Sequence, residues 1–340
     1  MTTMKPGLRP YNTAFPIRQA GLSLVELMIS LTIGLVLLAG ITSLIVKQSS
    51  TRDELDKSSR QIENGRYAIQ LLRDDIEHAG FYGEYSPPAT TVYNEAVDPC
   101  VADNAGWVPA TPEVPVGIFG YAGAAADPSC VTNRKAGTAI LVIRRTSTDS
   151  TAAASAIAGT TYLQVSRCNQ DALPFVMATS GFTLKQKNCL TPAMLRKYIV
   201  RIYYVSTCNV CSGAGVDTVP TLKMVEFVDG NPLTTLPLAE GIEDMQFDYG
   251  VDAPIATGDG APDSYTRTPV AGQWKDVMAV RVNVLARNND PTVGYVDAKS
   301  YRLSGISAVA AVPAFGDNYK RHAFNQLVRV INPSGRREQP

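Results

Sequence analysis

LSLVELMISLTIGLVLLAGITSLIV, residues Leu22–Val46, decides the fold class, because its 25 positions hold a single ionisable side chain, Glu26. As a helix rising about 1.5 Å per residue it reaches roughly 37 Å, enough to cross a hydrocarbon core of about 30 Å with some tilt. The alternatives are a buried helix of a soluble protein and a secretory signal peptide. A signal peptide's apolar region runs about 7 to 15 residues and ends at a small-residue cleavage site. Here the run is longer, and Lys47, Gln48, Ser49 and Ser50 follow it with no A-x-A pattern. The stretch reads as a membrane-spanning helix.

On its N-terminal side, Met1–Gly21 carries Lys5, Arg9 and Arg18 and no acidic residue, as a cytoplasmic flank should. Lys47, Arg52, Lys57 and Arg60 crowd the other side, so a count of basic residues gives a near tie on orientation. The cysteines break the tie. Cys100, Cys130, Cys168, Cys189, Cys208 and Cys211 all lie beyond the span, and an even number suits an oxidising compartment. The C-terminal region is therefore expected outside the cytoplasm. Over 340 residues, 31 basic side chains balance 31 acidic ones, which argues against a polyanion binder working by bulk charge. No specific nucleic-acid partner is expected. A chain that is 45% hydrophobic and 18% charged, with 22 prolines and 26 glycines, suits a strand-and-loop body more than a helical bundle.

Glu26 lies four residues into the span, about 6 Å along a helix axis from Leu22. A carboxylate in lipid costs on the order of 2.5 to 3.5 kcal/mol, so it must carry a proton, reach the interface or meet a cation. Tolerance near the membrane edge is one reading. The other needs a cation at that depth, and cleavage between Gly21 and Leu22 would create one, an α-amino group with an ordinary pKa of about 7.7 to 8.0. On one rigid helix that amine cannot readily serve its own Glu26. It can serve the Glu26 of a neighbour displaced along the axis, a head-to-tail contact whose repetition builds an open helical filament.

The string RQAGLSLVELMIS, Arg18–Ser30, resembles a type IV prepilin N-terminus: a short basic leader ending in glycine, a hydrophobic first mature residue, glutamate at the fifth, then an unbroken apolar helix. The resemblance implies a leader, 1–21, removed by a prepilin peptidase that cuts after Gly21 and methylates the amine of Leu22. It also implies that Glu26 is an assembly residue meeting the amine of an adjacent subunit. Leu22 departs from the phenylalanine commoner in major pilins, and Ser43 stands where many of them carry a helix-kinking proline.

Residues 22–46 then form the transmembrane and polymerisation helix, and 47–80 its amphipathic second half. No proline occurs between Pro16 and Pro87, so one helix can run from Leu22 to Ala79. Leu55, Ile62, Ile69 and Ile76 recur every seven residues, with Leu72 and Ala79 beside them, an apolar stripe suited to packing on a sheet. Arg73 and Glu77 are among the i, i+4 charge pairs on the wetted side, Gly65 and Ser58 are poor seam residues for a coiled coil, and Gly80 is a left-handed helix stop. Residues 81–340 are expected to form a disulfide-bonded, β-rich head. Within it 86–137 reads as a long loop with short strands. Strands are expected at Ala139–Arg145, Thr161–Val165, Tyr198–Val205, Leu222–Val228, Met245–Tyr249, Val277–Ala286, Tyr301–Ile306 and Ala323–Ile331. The fold class is α+β and pilin-like: a long N-terminal helix packed on an antiparallel β-sheet head with long loops.

LLRDDIEHAGFYG (Leu71–Gly83), IEDMQFDYGVD (Ile242–Asp252) and DVMAVRVNVLAR (Asp276–Arg287) resemble segments of PilW-type minor pilins. That family implies a minor pilin that initiates assembly or forms the filament tip. Its partners would be other minor pilins, the major pilin, the prepilin peptidase, the inner-membrane assembly platform and, before assembly, the lipid bilayer. The implied location is the inner membrane, single-pass with the head in the periplasm, and then the pilus or cell surface. A J-type minor pseudopilin of type II secretion and a signal-anchored exported binding or adhesin domain are the alternatives. An adhesin role for 86–197 is compatible with the first reading.

No enzyme motif appears, and no cofactor is expected. Cys208 and Cys211 form a C-x-x-C that suits a redox pair, half of a zinc site with Cys168 and Cys189, or a small disulfide loop. Outside the cytoplasm three disulfides are favoured. Nearness in sequence pairs Cys208 with Cys211, Cys168 with Cys189 and Cys100 with Cys130. Asp252, Asp259 and Asp263 lie in a glycine-bearing loop with oxygen ligands for calcium, although the spacing is not that of an EF-hand and a solvated loop is favoured. His78 and His322 are too few for a triad.

Overall fold

The structure is a computed structural model that describes residues 21, 23–101, 103–230, 232–253 and 258–338. The chain divides into two compact units, Met1–Glu54 and Leu55–Pro340. A single helix, α1 (Leu24–His78), runs through both sequence ranges. The strands then follow as β1 (Val92–Asn94), β2 (Glu113–Pro115), β3 (Ile118–Tyr121), β4 (Ile140–Thr146), β5 (Tyr162–Val165), β6 (Phe175–Ala178), β7 (Leu195–Ser206), β8 (Thr221–Phe227), β9 (Leu233–Glu240), β10 (Ile242–Val251), β11 (Ser264–Thr266), β12 (Val277–Arg287) and β13 (Arg321–Arg329). A short helix, α2 (Ile331–Arg337), closes the order.

The second unit holds two antiparallel sheets. One has four strands in the order β11-β10-β12-β13. The other has seven, built around the long β7, which pairs with β5 through residues 195–197, with β4 through 198–203 and with β8 through 201–206. A parallel pair, β1 with β2, stands apart. Strand β4 reads ILVIRRT, a nearly continuous apolar run rather than an alternation, because both faces of its sheet are covered. Leu141 and Ile143 face a core that also holds Ala68, Ile69, Leu72 and Ile76 of α1 and Val280, Val282 and Val284 of β12. Ile140 and Val142 face a second core with Tyr82, Trp107, Phe175 and Tyr198. The Trp107 indole sits edge-on to those three rings with centroids 5.0–5.6 Å apart, the offset geometry that aromatic quadrupoles prefer.

The buried face of α1 keeps Ile69, Leu72 and Ile76 of the expected stripe, with Ala79 buried just past it, but departs from the seven-residue repeat toward its N-terminal end. It comprises Gln61, Gly65, Ala68, Ile69, Leu72, Asp75 and Ile76, while Ile62 is half-buried and Leu55 is 64% exposed. A straight helix of 3.6 residues per turn drifts about 20° per heptad. Four turns back from Ile76 therefore fall between Gln61 and Ile62, and Gln61 is the residue turned inward. Gly65, a poor seam residue, is used for close approach: a Cβ there would overlap the ring of Phe324 on β13. Past His78, Gly80 takes φ +69° and donates its N–H to Arg144 O at 2.9 Å, ending the helix on the sheet.

Seven of the eight expected strands are present with shifted ends. Tyr301–Ile306 is not a strand. Tyr301 makes one bridge to Val312, and Gly305 gives its N–H to the carboxylate of Asp248 at 2.7 Å, so a side chain stands where a ladder partner would. Ala323–Ile331 is displaced two residues toward the N-terminus, to Arg321–Arg329, and α2 begins at Ile331.

Candidate assembly site

All fifteen Leu, Ile, Val and Met side chains from Leu24 to Val46 are 54–75% exposed. Apolar on every side, with none of the other described residues over it, this segment is long and apolar enough to cross a membrane. Three of its hydroxyls are satisfied within the helix. Ser30 Oγ donates to Glu26 O at 2.7 Å, Thr32 Oγ1 to Ile29 O at 2.8 Å and Thr42 Oγ1 to Leu38 O at 2.7 Å, which removes the cost of bare polar groups in lipid. Glu26 lies in the first turn, where the partial positive charge of the helix N-terminus favours a carboxylate. Among the described residues no cationic side chain lies within ion-pair distance of it. Leu22 and the leader up to Ala20 lie outside the described residues; Gly21 is exposed, with open space about its Cα.

The other end of α1 is fixed by charge. Asp75, only 3% exposed, accepts from Arg145 Nε (3.0 Å), Arg201 Nη1 (3.1 Å) and the Tyr203 hydroxyl (2.7 Å). Burial, reinforced by the Asp75 charge, pushes the Tyr203 hydroxyl well above its ordinary range, so it donates as a neutral phenol. Burial opposes the charge of Arg201, but Asp75, Tyr203 and Glu226 outweigh it and raise its pKa. Gln61 Nε2 donates to Ala286 O and Lys320 O, both at 2.8 Å, and ties the helix to the ends of β12 and β13.

Residues 17–42 match the family described as the prokaryotic N-terminal methylation motif, and residues 202–332 match the family described as Type IV Pilus-assembly protein W. Together the two matches support reading the chain as a PilW-type type IV pilin. The second match spans β8 to β13 and contains Ile242–Asp252 and Asp276–Arg287; Leu71–Gly83 lies outside both. A type IV-like pilin from Thermus thermophilus is similar in structure at 12% identity, over 58% of this chain and 78% of that one, with a TM-score of 0.29. No curated protein matches.

The six cysteines form Cys100–Cys130, Cys168–Cys189 and Cys208–Cys211, with Cα–Cα distances of 5.5, 5.0 and 5.3 Å. These are the pairs that nearness in sequence favours, and they leave no thiolate for zinc. Cys100 and Cys130 pack against the aromatic second core and pin the long loop to it. Asp252, Asp259 and Asp263, the weaker calcium alternative to a solvated loop, make these contacts. Asp252 accepts from Arg337 Nη1 (3.0 Å) and the Gly260 N–H (2.9 Å), and Asp263 caps the Ala253 N–H at 2.8 Å. Asp259 closes its own turn on the Ala261 N–H at 2.9 Å. Arg337 supplies the positive charge a cation would bring, and among the described residues no cluster of three or more acidic, His or Cys side chains could hold a metal. His78 contacts Asp74 O through Nδ1 at 2.6 Å, and His322 stacks edge-on with Phe324.

A buried charge centre on Arg321 was not legible in the sequence. Its guanidinium, fully buried, contacts Glu243, Asp297 (2.9 Å) and Asp317 (2.6 Å) and lies 3.8 Å from the Phe315 ring centroid. Burial would raise the Glu243 pKa, but the Arg321 hydrogen bond and Lys135 outweigh it and lower it; the Arg321 hydrogen bond lowers that of Asp317. The centre binds the 288–320 loop to β13 and β10. It is structural, since each charged group is matched.

Proposed function

We propose that this pilin is a minor subunit of a type IV pilus, a structural protein rather than an enzyme, that enters the filament through α1 and helps to initiate assembly or form the tip. A prepilin peptidase would cut between Gly21 and Leu22 and methylate the new amine, and Glu26 would take the Leu22 amine of the next subunit. The observation that carries this reading is the pairing of a fully exposed apolar helix with one first-turn carboxylate that has no cationic side chain near it among the described residues. The methylation motif over 17–42 supports the processing step. In this scheme the chain waits in the inner membrane, its disulfide-bonded head in the periplasm, and passes to the cell surface with the filament. Mass-spectrometric determination of the mature N-terminus tests it. A chain beginning at N-methylated Leu22 is expected; one that keeps Met1, or loses the whole span, in cells with active peptidase would refute it.

A further inference from the structure

Between β5 and β7 the chain makes a tight excursion, 184–193, held by backbone bonds from Gln186 N–H to Thr191 O (2.8 Å) and from Ala193 N–H to Leu184 O (2.9 Å). At its tip Asn188 Oδ1 accepts the N–H groups of Leu190 and Thr191, both at 3.0 Å, while its Nδ2 donates to Thr191 Oγ1 at 2.8 Å. Cys189, at φ +55°, is tied to Cys168. This well-anchored tip presents Leu190, which is 82% exposed. One exposed leucine is ordinary; its surroundings are not. Arg167 and Lys187 line a cavity of about 330 Å³ beside the tip, with Val165, Ala193 and Met194 as its apolar wall. Among the described residues neither cation has a carboxylate within ion-pair distance, and the cavity's own acid, Glu84, is held by Arg196 through contacts of 2.7 and 3.1 Å. Residues 166–194 carry three basic side chains against one acid, Asp171, whose carboxylate accepts the Ser166 hydroxyl (2.6 Å) and the Lys185 N–H (2.9 Å).

A projecting apolar side chain beside a recess that combines cations with an apolar wall is the amphipathic pattern of a segment that lies in the boundary between headgroups and acyl chains. We propose that this loop docks on an anionic phospholipid bilayer facing the head. Leu190 enters the headgroup boundary while Arg167, Lys185 and Lys187 meet lipid phosphates. The docking concerns the head alone and does not rest on Glu26 or on leader cleavage, so its failure and theirs are distinguishable.

The test uses the full chain, held by its own helix in phosphatidylcholine nanodiscs and sedimented with sucrose-loaded vesicles of phosphatidylglycerol and phosphatidylcholine or of phosphatidylcholine alone. Binding is expected only to the anionic vesicles, and it should weaken as salt rises. Lys187→Ala should reduce the vesicle partition coefficient about fivefold, the weight of one basic residue at such a surface. Leu190→Ser should reduce it severalfold at every salt concentration. Both positions are exposed, and an unchanged near-ultraviolet circular dichroism spectrum checks that the variants stay folded. Equal binding to neutral vesicles, wild-type binding by both variants, or full displacement by inorganic phosphate at the headgroup concentration would overturn the proposal.

Discussion

Replacing Asp75 with alanine should destabilise the head by about 3 kcal/mol. The side chain is 4% exposed and receives three hydrogen bonds of 2.7 to 3.1 Å from Tyr203, Arg145 and Arg201. Removing one partner of a buried ion pair typically costs about 3 to 5 kcal/mol, because the other charge is left without compensation. The lower end applies, since the Arg201 side chain is 27% exposed and keeps Glu226 at 3.0 Å, whereas Arg145 is 13% exposed. At about 2 °C per kcal/mol for a domain of this size, the midpoint should fall by roughly 6 °C. Thermal unfolding of the detergent-held full chain, followed by near-ultraviolet circular dichroism, reads the head through its tertiary aromatic signal. A double-mutant cycle with Tyr203→Phe isolates the hydroxyl contact, and that second change should cost less once Asp75 is gone. A midpoint shift under about 1 °C for Asp75→Ala, or the same cost for Tyr203→Phe in both backgrounds, would show that the carboxylate does not fix helix to sheet.

Glu26→Ala should leave membrane insertion intact but lower the share of the chain recovered in sheared filaments; recovery at the wild-type level would remove the assembly role proposed for the carboxylate. Acid should loosen the Arg321 centre. Glu243 and Asp317 have folded pKa values below their ordinary ones of about 4.3 and 3.9, so their contribution is complete above those values and is lost as pH falls through the folded ones. A midpoint that stays flat down to pH of about 3 would contradict this. Gly65→Val should cost about 2 kcal/mol through overlap with Phe324, and Phe324→Leu should recover part of it; an unchanged midpoint in the single variant would deny the close approach. Replacing both Cys100 and Cys130 with serine opens a loop with a sequence separation of 30 and should cost about 3.6 kcal/mol of chain entropy. The same change at Cys208 and Cys211, separated by 3, should cost about 1.6 kcal/mol, and the reverse order in denaturant unfolding would refute the entropic account.

The membrane helix and the buried strands were legible because each is dictated by solvent. Lipid demands an uninterrupted apolar run, and a sheet covered on both faces demands runs such as ILVIR in β4. Strand β9 escaped notice because it is an edge. Its residues LTTLPLAE largely alternate between exposed and half-buried, Pro237 can stay there because the outer side needs no donor, and only pairing with β8 defines it. The buried helix face was legible at Ile69, Leu72, Ile76 and Ala79 but not at Gln61 and Asp75, for a different reason. Reading the stripe by its aliphatic residues assumes that polar side chains turn outward, yet Gln61 and Asp75 turn in. What makes that tolerable lies far along the chain: Arg145, Arg201 and Tyr203 are 70, 126 and 128 positions from Asp75, and the Ala286 carbonyl is 225 from Gln61. The same applies to Arg321 and Glu243, 78 apart. Local periodicity can rank apolar faces, but it carries no information about which distant donor will neutralise a buried carboxylate. Where a helix must be held in one orientation on a sheet, the residues that specify it are the ones that period-based reading assigns to solvent.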